Sequence, residues 1–317
     1  MPVKYIIILA SVFIIYSGTM SATELTNLAD ICAPYQSIEE DPGIKQKTRD
    51  SIPYGEGLLW KIEAKNGNSG YLFGTMQSQD RLITTSLPPP VNLAIHKSRI
   101  IMLEVIPDQQ SNQVFSEAMY FKNDKELQSL LSDPLWTELA RILPEYGLPQ
   151  EAIHKLKPWA AFSLIGRPKP VRGPTLDMVI YSKALQGNKE TRSLESMKEL
   201  VNQLDGIPLD DQLEILTDTI CNHKQIIRDT RTLRDLYIAR DLAGIVLFNQ
   251  SPHHDEGVYQ RYIKRMVYDR NVMMADRIEE LMSEDGVFVA VGASHLPDKK
   301  GLLQLLSKRG YSVTQIY

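Results

Sequence analysis

The sequence predicts an α/β fold in which both ends of the chain build one mixed sheet and a large helical insertion separates the two halves. Three observations predict it. Short apolar strands cluster between residues 58 and 105 and again between 286 and 316. Residues 108–285 place apolar side chains at helical spacing almost throughout. Arg99–Val105 is a nearly continuous apolar run, as a strand covered on both faces must be.

The elements follow in order. Lys4 precedes the apolar run Tyr5–Tyr16, and small residues follow as far as Ala22. A basic start, a short apolar core and a small-residue exit predict a secretory signal peptide over residues 1–22. The run is shorter than the ~18–20 residues that span a bilayer comfortably. The alternative is an uncleaved segment that anchors the chain to a membrane. With the signal cleaved the expected location is periplasmic or secreted; with it retained, the chain is expected to be membrane-anchored. Residues 23–55 are polar, carry Pro34, Pro42 and Pro53, and are expected to form an N-terminal arm. The domain proper is expected over residues 56–317.

Leu58–Glu63 and Gly70–Gly74 are expected strands, and Asn66-Gly67 between them marks a hairpin turn. Leu87-Pro88-Pro89-Pro90 opens a helix that runs through His96. Within the insertion, Leu209–Ile226 and Tyr259–Met282 each read as one helix with an apolar stripe for the core. A short strand is expected near Glu190-Thr191-Arg192. Strand Gly286–Gly292, helix Lys299–Lys308 and strand Tyr311–Ile316 close the chain.

Composition removes several classes of function. The net charge of −4 comes without a basic stripe, so nucleic acid is not an expected partner. Cys32 and Cys221 are the only cysteines, too few for a zinc-finger site; in an oxidising compartment they would be free to form one disulfide. No Gly-x-Ser-x-Gly, P-loop or dinucleotide fingerprint is present. His253-His254-Asp255 lacks the i, i+4 spacing that puts two ligands on one helical face. Ser294 beside His295 is no triad, because adjacent side chains point apart.

Two segments read as copies of one device. Tyr71-Leu72-Phe73-Gly74-Thr75-Met76-Gln77 and Phe288-Val289-Ala290-Val291-Gly292-Ala293-Ser294-His295 are apolar strands ending in glycine, with a polar residue three positions on. The glycine is expected to permit a sharp turn and the close approach of a ligand. The later residue would point back over the carboxyl ends of the strands, where open α/β sheets bind ligands. Glu104 ends its own strand nearby, so Gln77, Glu104 and His295 are expected to converge. Glu104 is either a ligand or general base, or the salt-bridge partner of Arg270. One of Arg270 and Asn271 should face the cleft. Asp177 and Glu195 read as structural carboxylates at a helix start and a strand end.

These pieces, with Leu59-Trp60-Lys61-Ile62, Leu103-Glu104, Thr175-Leu176-Asp177, Ser193-Leu194-Glu195, Asp269-Arg270-Asn271 and Val291–Pro297, resemble the TraB/GumN family, which includes the TIKI-type metalloproteases. The resemblance runs from about Leu58 to Ile316. It implies two Gly-x-x-His motifs, an acidic residue on the strand between them and an Arg-Asn pair before the second. It also implies a two-half α/β core and, in some members, metal-dependent peptidase activity. By that resemblance a divalent ion (manganese, cobalt or zinc) would be held by His295, Glu104 and Gln77. Glu104, Arg270 and Asn271 would serve catalysis, and Gly74, Thr75 and Gly292 would shape the motif backbone. The first motif departs from the pattern, because Gln77 stands where the family has histidine. An amide oxygen is a neutral, hard donor that suits calcium or magnesium better than zinc. Asp80 is a weaker substitute. Two functions follow: a metal-dependent hydrolase acting on peptides, or an inactive relative that binds a peptide, glycan or envelope component.

Overall fold

Six strands form the sheet of this computed structural model, which describes residues 27–36, 48–250, 253–284 and 286–317. The expected signal peptide at 1–22 lies outside the described residues, as does much of the expected arm. The strands are β1 (Leu59–Glu63), β2 (Ser69–Thr75), β3 (Ile100–Leu103), β4 (Glu190–Ser193), β5 (Val287–Gly292) and β6 (Ser312–Gln315). Their order is β4-β3-β5-β2-β1-β6. β1 and β2 pair antiparallel as a hairpin, whereas β2, β5, β3 and β4 are mutually parallel. The sheet is therefore mixed, as the sequence predicts.

Burial explains the strand sequences. All four residues of β3 are buried, and β5 is buried from Val287 to Val291. These are the central strands, covered on both faces, so their continuous apolar sequences have a physical cause. β4 and β6 lie at the edges and carry polar side chains.

The labelled helices are α1 (Pro89–Lys97), α2 (Gln109–Ala118), α3 (Asp133–Ile142), α4 (Pro158–Ile165), α5 (Leu176–Gln186) and α6 (Met197–Asp205). After them come α7 (Leu209–Cys221), α8 (His223–Ile238), α9 (Leu242–Asn249), α10 (Glu256–Ile263), α11 (Arg270–Leu281) and α12 (Leu302–Lys308). One buried apolar cluster packs on the sheet, with Phe73, Ile101, Met274 and Phe288 among its members. A second, centred on Trp159, Leu139, Ile142 and Leu216, gives the helical cap its own core.

Three helix expectations need correction. Leu209–Ile226 is not one helix but breaks at Asn222, where the backbone leaves the helical basin. The Asn222 amide donates to the Tyr35 carbonyl at 2.9 Å and to Asp218 at 2.6 Å. The Tyr35 carbonyl, a tertiary partner invisible to helical periodicity, favours the corner. Tyr259–Met282 is continuous but irregular: α10 passes into a π-helical turn, Lys264–Asp269, before α11 begins. The final helix starts at Leu302 rather than Lys299, because Asp298 takes a positive φ of 80° and Gly301 is the N-cap.

Beside the corner, Cys32 and Cys221 are bonded, with Cα atoms 5.2 Å apart. The bond fastens the short helix Leu28–Cys32 to the end of α7 across a sequence separation of 189. Crosslinks over such long separations restrict the unfolded chain strongly. Replacing both cysteines by serine is expected to lower unfolding stability by about 2–5 kcal/mol. Urea denaturation followed by far-UV circular dichroism checks this.

Candidate functional site

Parallel pairing brings the carboxyl ends of β2, β3, β4 and β5 to one edge of the sheet. Glu104 directly follows β3, and Glu195 lies two residues beyond β4. Their backbones continue the ladder, with the Glu195 N–H donating to the Glu104 carbonyl at 3.0 Å. The two carboxylates are thus delivered side by side.

Arg270 enters between them from the first position of α11. Its Nε donates to Glu195 at 3.0 Å, and its Nη2 bonds both Glu104 and Glu195. Its Nη1 donates to the Met266 carbonyl at 3.0 Å and lies 3.5 Å from His295 Nε2. The π turn presents that carbonyl; such turns commonly mark functional positions. Arg270 is 5% exposed and all its nitrogens are engaged, so it orients its neighbours instead of reaching for substrate.

Glu104 is the accessible member. A quarter (24%) of its side chain is exposed, against none of the Glu195 side chain. Its Oε2 accepts from the Gly292 N–H at 3.0 Å and lies 3.9 Å from His295 Nε2. Burial alone would raise its pKa, but His295, Arg270 and the Gly292 amide together bring it down to about 2. Burial pushes Glu195 upward against the pull of Arg270, and the two carboxylates together keep Arg270 protonated despite burial.

His295, on the 3₁₀ turn Ala293–His295, is fixed from behind. Its Nδ1 sits 2.7 Å from Asn271 Oδ1, while Asn271 Nδ2 donates to the Lys300 carbonyl at 2.9 Å. The carbonyl settles which way the amide faces, so Nδ1 carries the proton and Nε2 keeps a lone pair. That lone pair accepts from Arg270 Nη1 at 3.5 Å, and Nε2 lies 3.9 Å from the Glu104 carboxylate. Burial, with help from Arg270 and opposed by Glu104, lowers the His295 pKa to about 4. Both Arg270 and Asn271 therefore face the site, where the sequence suggested only one.

The first motif serves a different purpose from the one expected. A Cβ on Gly74 would lie 3.2 Å from Ala293 Cα and 2.9 Å from Leu296 Cδ1, so this glycine admits the second motif's turn and not a ligand. Tyr237 donates to the Gly74 carbonyl at 2.8 Å, and Thr75 donates to Asp177 at 2.9 Å. Burial raises Asp177 to about 6, with the Thr75 hydrogen bond opposing and Glu104 adding to the rise. Gln77 is exposed, and no hydrogen bond ties it to Glu104 or His295. Asp80 caps the helix Arg81–Thr84 and pairs with Arg234 at 3.2 Å, so it is no substitute ligand. His253 and His254 bond Asp218 and Glu214 inside the cap.

A cavity of about 1390 Å³ lies in the cap, larger than the roughly 300–1,000 Å³ usual for small-molecule sites. Gln77, Phe115, Phe162, Tyr262 and Met266 are among its lining residues, whereas Glu104, Arg270 and His295 are not. For a divalent ion, the His295 lone pair and the Glu104 carboxylate are suitable donors, each held by an outer partner. Among the described residues, no three His, Cys, Asp or Glu side chains group as metal ligands. Gln77, the third donor the sequence suggests, is neutral and makes no hydrogen bond to Glu104 or His295.

The chain matches the TraB/PrgY/gumN family over residues 58–315. It belongs to that family. It is 23% identical over 310 residues to metalloprotease TIKI1 of Homo sapiens and 22% over 315 residues to that of Xenopus tropicalis. Metalloprotease TIKI homolog of Amphimedon queenslandica is 23% identical over 313 residues. Each comparison covers 81% of this chain and 61% of the relative, so the chain spans less than two thirds of those proteins. No solved structure matches it. Glu195 joins the site residues. Sequence reasoning placed it at a strand end without seeing its partner.

The buried titrations predict opposite pH dependences. His295 is lowered from 6.5, so the stability it contributes is present above that value and is lost as pH falls toward 4. Asp177 is raised from 3.8, so its contribution is present below that value and is lost as pH rises through 6. Each shift corresponds to roughly 3 kcal/mol. In Asp177→Asn, urea-unfolding stability is expected to drop from pH 7 to pH 4 more steeply than in the native chain. Adding His295→Asn should flatten that slope.

Proposed function

We propose that this chain is an exported hydrolase that cleaves polypeptide at the edge formed by Glu104 and His295, with a divalent ion as cofactor. The observation that carries the reading is His295 Nε2, unprotonated, fixed through Nδ1 by Asn271 and held 3.9 Å from an accessible carboxylate. TIKI metalloproteases as relatives support it, and the large cap cavity has room for a polypeptide segment. The Cys32–Cys221 bond and the N-terminal apolar run support export. Among the described residues no helix is long and apolar enough to cross a membrane.

In this reading His295 and Glu104 hold the ion, and Gln77 offers its amide oxygen. When bound, the ion supplies Lewis acidity and lowers the pKa of water. Asn271 keeps His295 in the required tautomer. Arg270 and the Gly292 amide hold Glu104 ionised and oriented, and the buried positive charge of Arg270 favours negative charge developing nearby. The absence of hydrogen bonds from Gln77 to either donor favours a second reading, in which the chain binds a peptide, glycan or envelope component without cleaving it.

Elemental analysis and thermal melting of chelator-free protein separate the two. The hydrolase reading expects manganese, cobalt or zinc in the native chain. Saturating metal at about a hundredfold over Kd should then stabilise it by roughly 2.7 kcal/mol, and His295→Ala should abolish that gain. A native chain that stays empty while Gln77→His fills with metal selects the binding reading.

A further inference from the structure

Beside the site, the structure presents apolar side chains to solvent on a braced basic face. Leu82 is 69% exposed, Val171 57% and Met178 45%. They belong together in space. Gln79 donates to the Gly173 carbonyl at 2.9 Å and accepts from the Val171 N–H at 3.0 Å, which clips residues 171–173 to the loop after β2. The helix Arg81–Thr84, capped by Asp80, packs on α5, which carries Met178. Ile83 and Thr84 turn inward, leaving Leu82 outward. Pro168, Pro170 and Pro174 restrict the backbone that holds Val171, so its exposure costs little ordering entropy on contact.

The surrounding charge is positive. Arg81 and Arg172 are exposed and make no ion pair with a described residue. Lys169 adds a third cation, paired with Glu145. The neighbouring carboxylates are already committed: Asp80 to Arg234 and Asp177, from beneath, to Thr75. Protruding apolar side chains ringed by uncompensated arginines match a surface that offers phosphates above hydrocarbon.

We propose that this face docks the protein on anionic phospholipid bilayers, with Leu82, Val171 and Met178 entering the interface and Arg81 and Arg172 meeting lipid phosphates. The docked face adjoins the candidate site, since Gln77 lies two residues before Gln79 and Asp177 directly precedes Met178. Substrates or ligands close to a membrane surface would then be favoured. The proposal stands whether or not the site hydrolyses anything.

Co-sedimentation of the full chain with vesicles tests it, comparing phosphatidylglycerol mixed into phosphatidylcholine with phosphatidylcholine alone. Any contribution of the N-terminal apolar run would act on both vesicles, so the difference between them isolates the basic face. The expected result is preferential binding to anionic vesicles that weakens with salt. Leu82→Ser with Val171→Ser, and separately Arg81→Glu with Arg172→Glu, should each lower that binding about fivefold or more. Ile316→Ser, just beyond the outermost strand β6, should bind as the native chain does. In Val171→Trp, the added fluorescence should shift to the blue with anionic vesicles only. Equal binding to both vesicles, or anionic binding that survives both double substitutions, overturns the proposal. So does a native chain that ignores vesicles but loses self-association in the same variants, which would make the face a contact between copies.

Discussion

The arrangement depends on one guanidinium held between two carboxylates. Arg270 joins Glu104 on β3 to Glu195 beyond β4, and it reaches both from a helix on the far side of the helical insertion. Removing all three charges in favour of apolar groups would not by itself harm stability, because buried ion pairs carry a large desolvation cost. Removing Arg270 alone is different. It would leave a wholly buried Glu195 and a partly buried Glu104 facing each other, each without its counterion. The cluster therefore acts as a registry device. It fixes how far β4 extends beside β3, and where α11 begins relative to the sheet.

From that constraint the rest of the site follows. With one oxygen of Glu104 held by Arg270, the other is free to accept from Gly292 and to face His295. The next residue of α11, Asn271, reaches the opposite nitrogen of the same imidazole. Two adjacent residues of one helix thus determine both the ionisation of the carboxylate and the tautomer of the histidine. A regular helix starting earlier would turn them differently, which gives the π turn at Lys264–Asp269 a physical role. It supplies the Met266 carbonyl for Arg270 and sets the phase of the helix at its first residues.

What the sequence made legible was what depends on local pattern. The continuous apolar strands β3 and β5, the hairpin of β1 and β2, and the polar edge strand β4 all carry their burial in their residues. Glu104 and His295 were legible from strand ends and spacing, and Arg270 and Asn271 through the family resemblance. Glu195 was visible as a strand-end carboxylate, but its role was not. Its partner lies 75 residues away, and nothing in Ser193-Leu194-Glu195 announces a guanidinium. The corner at Asn222 was hidden for the same reason: the Tyr35 carbonyl and the disulfide that favour it are contributed from outside the helix. Periodicity reports which face is apolar; it does not report a tertiary hydrogen bond that interrupts an otherwise good helix.

Gln77 shows where fold and chemistry separate. The structural work of the first motif is carried by Gly74 and Thr75. Gly74 makes room for the turn that bears His295, and its carbonyl accepts from Tyr237. Thr75 satisfies Asp177 at the start of α5. Position 77 has no comparable burden, being exposed and free of bonds to the cluster. A histidine-to-glutamine difference there can change the donor set without disturbing the sheet, the glycine packing or the Arg270 clamp. His295 stands under the opposite constraint, since its imidazole is buried and bonded to Asn271, and Glu104 and Arg270 are arranged around it. Of the two motif ends, only the second is tied into stability, so the chain can retain a complete family fold while its first donor varies.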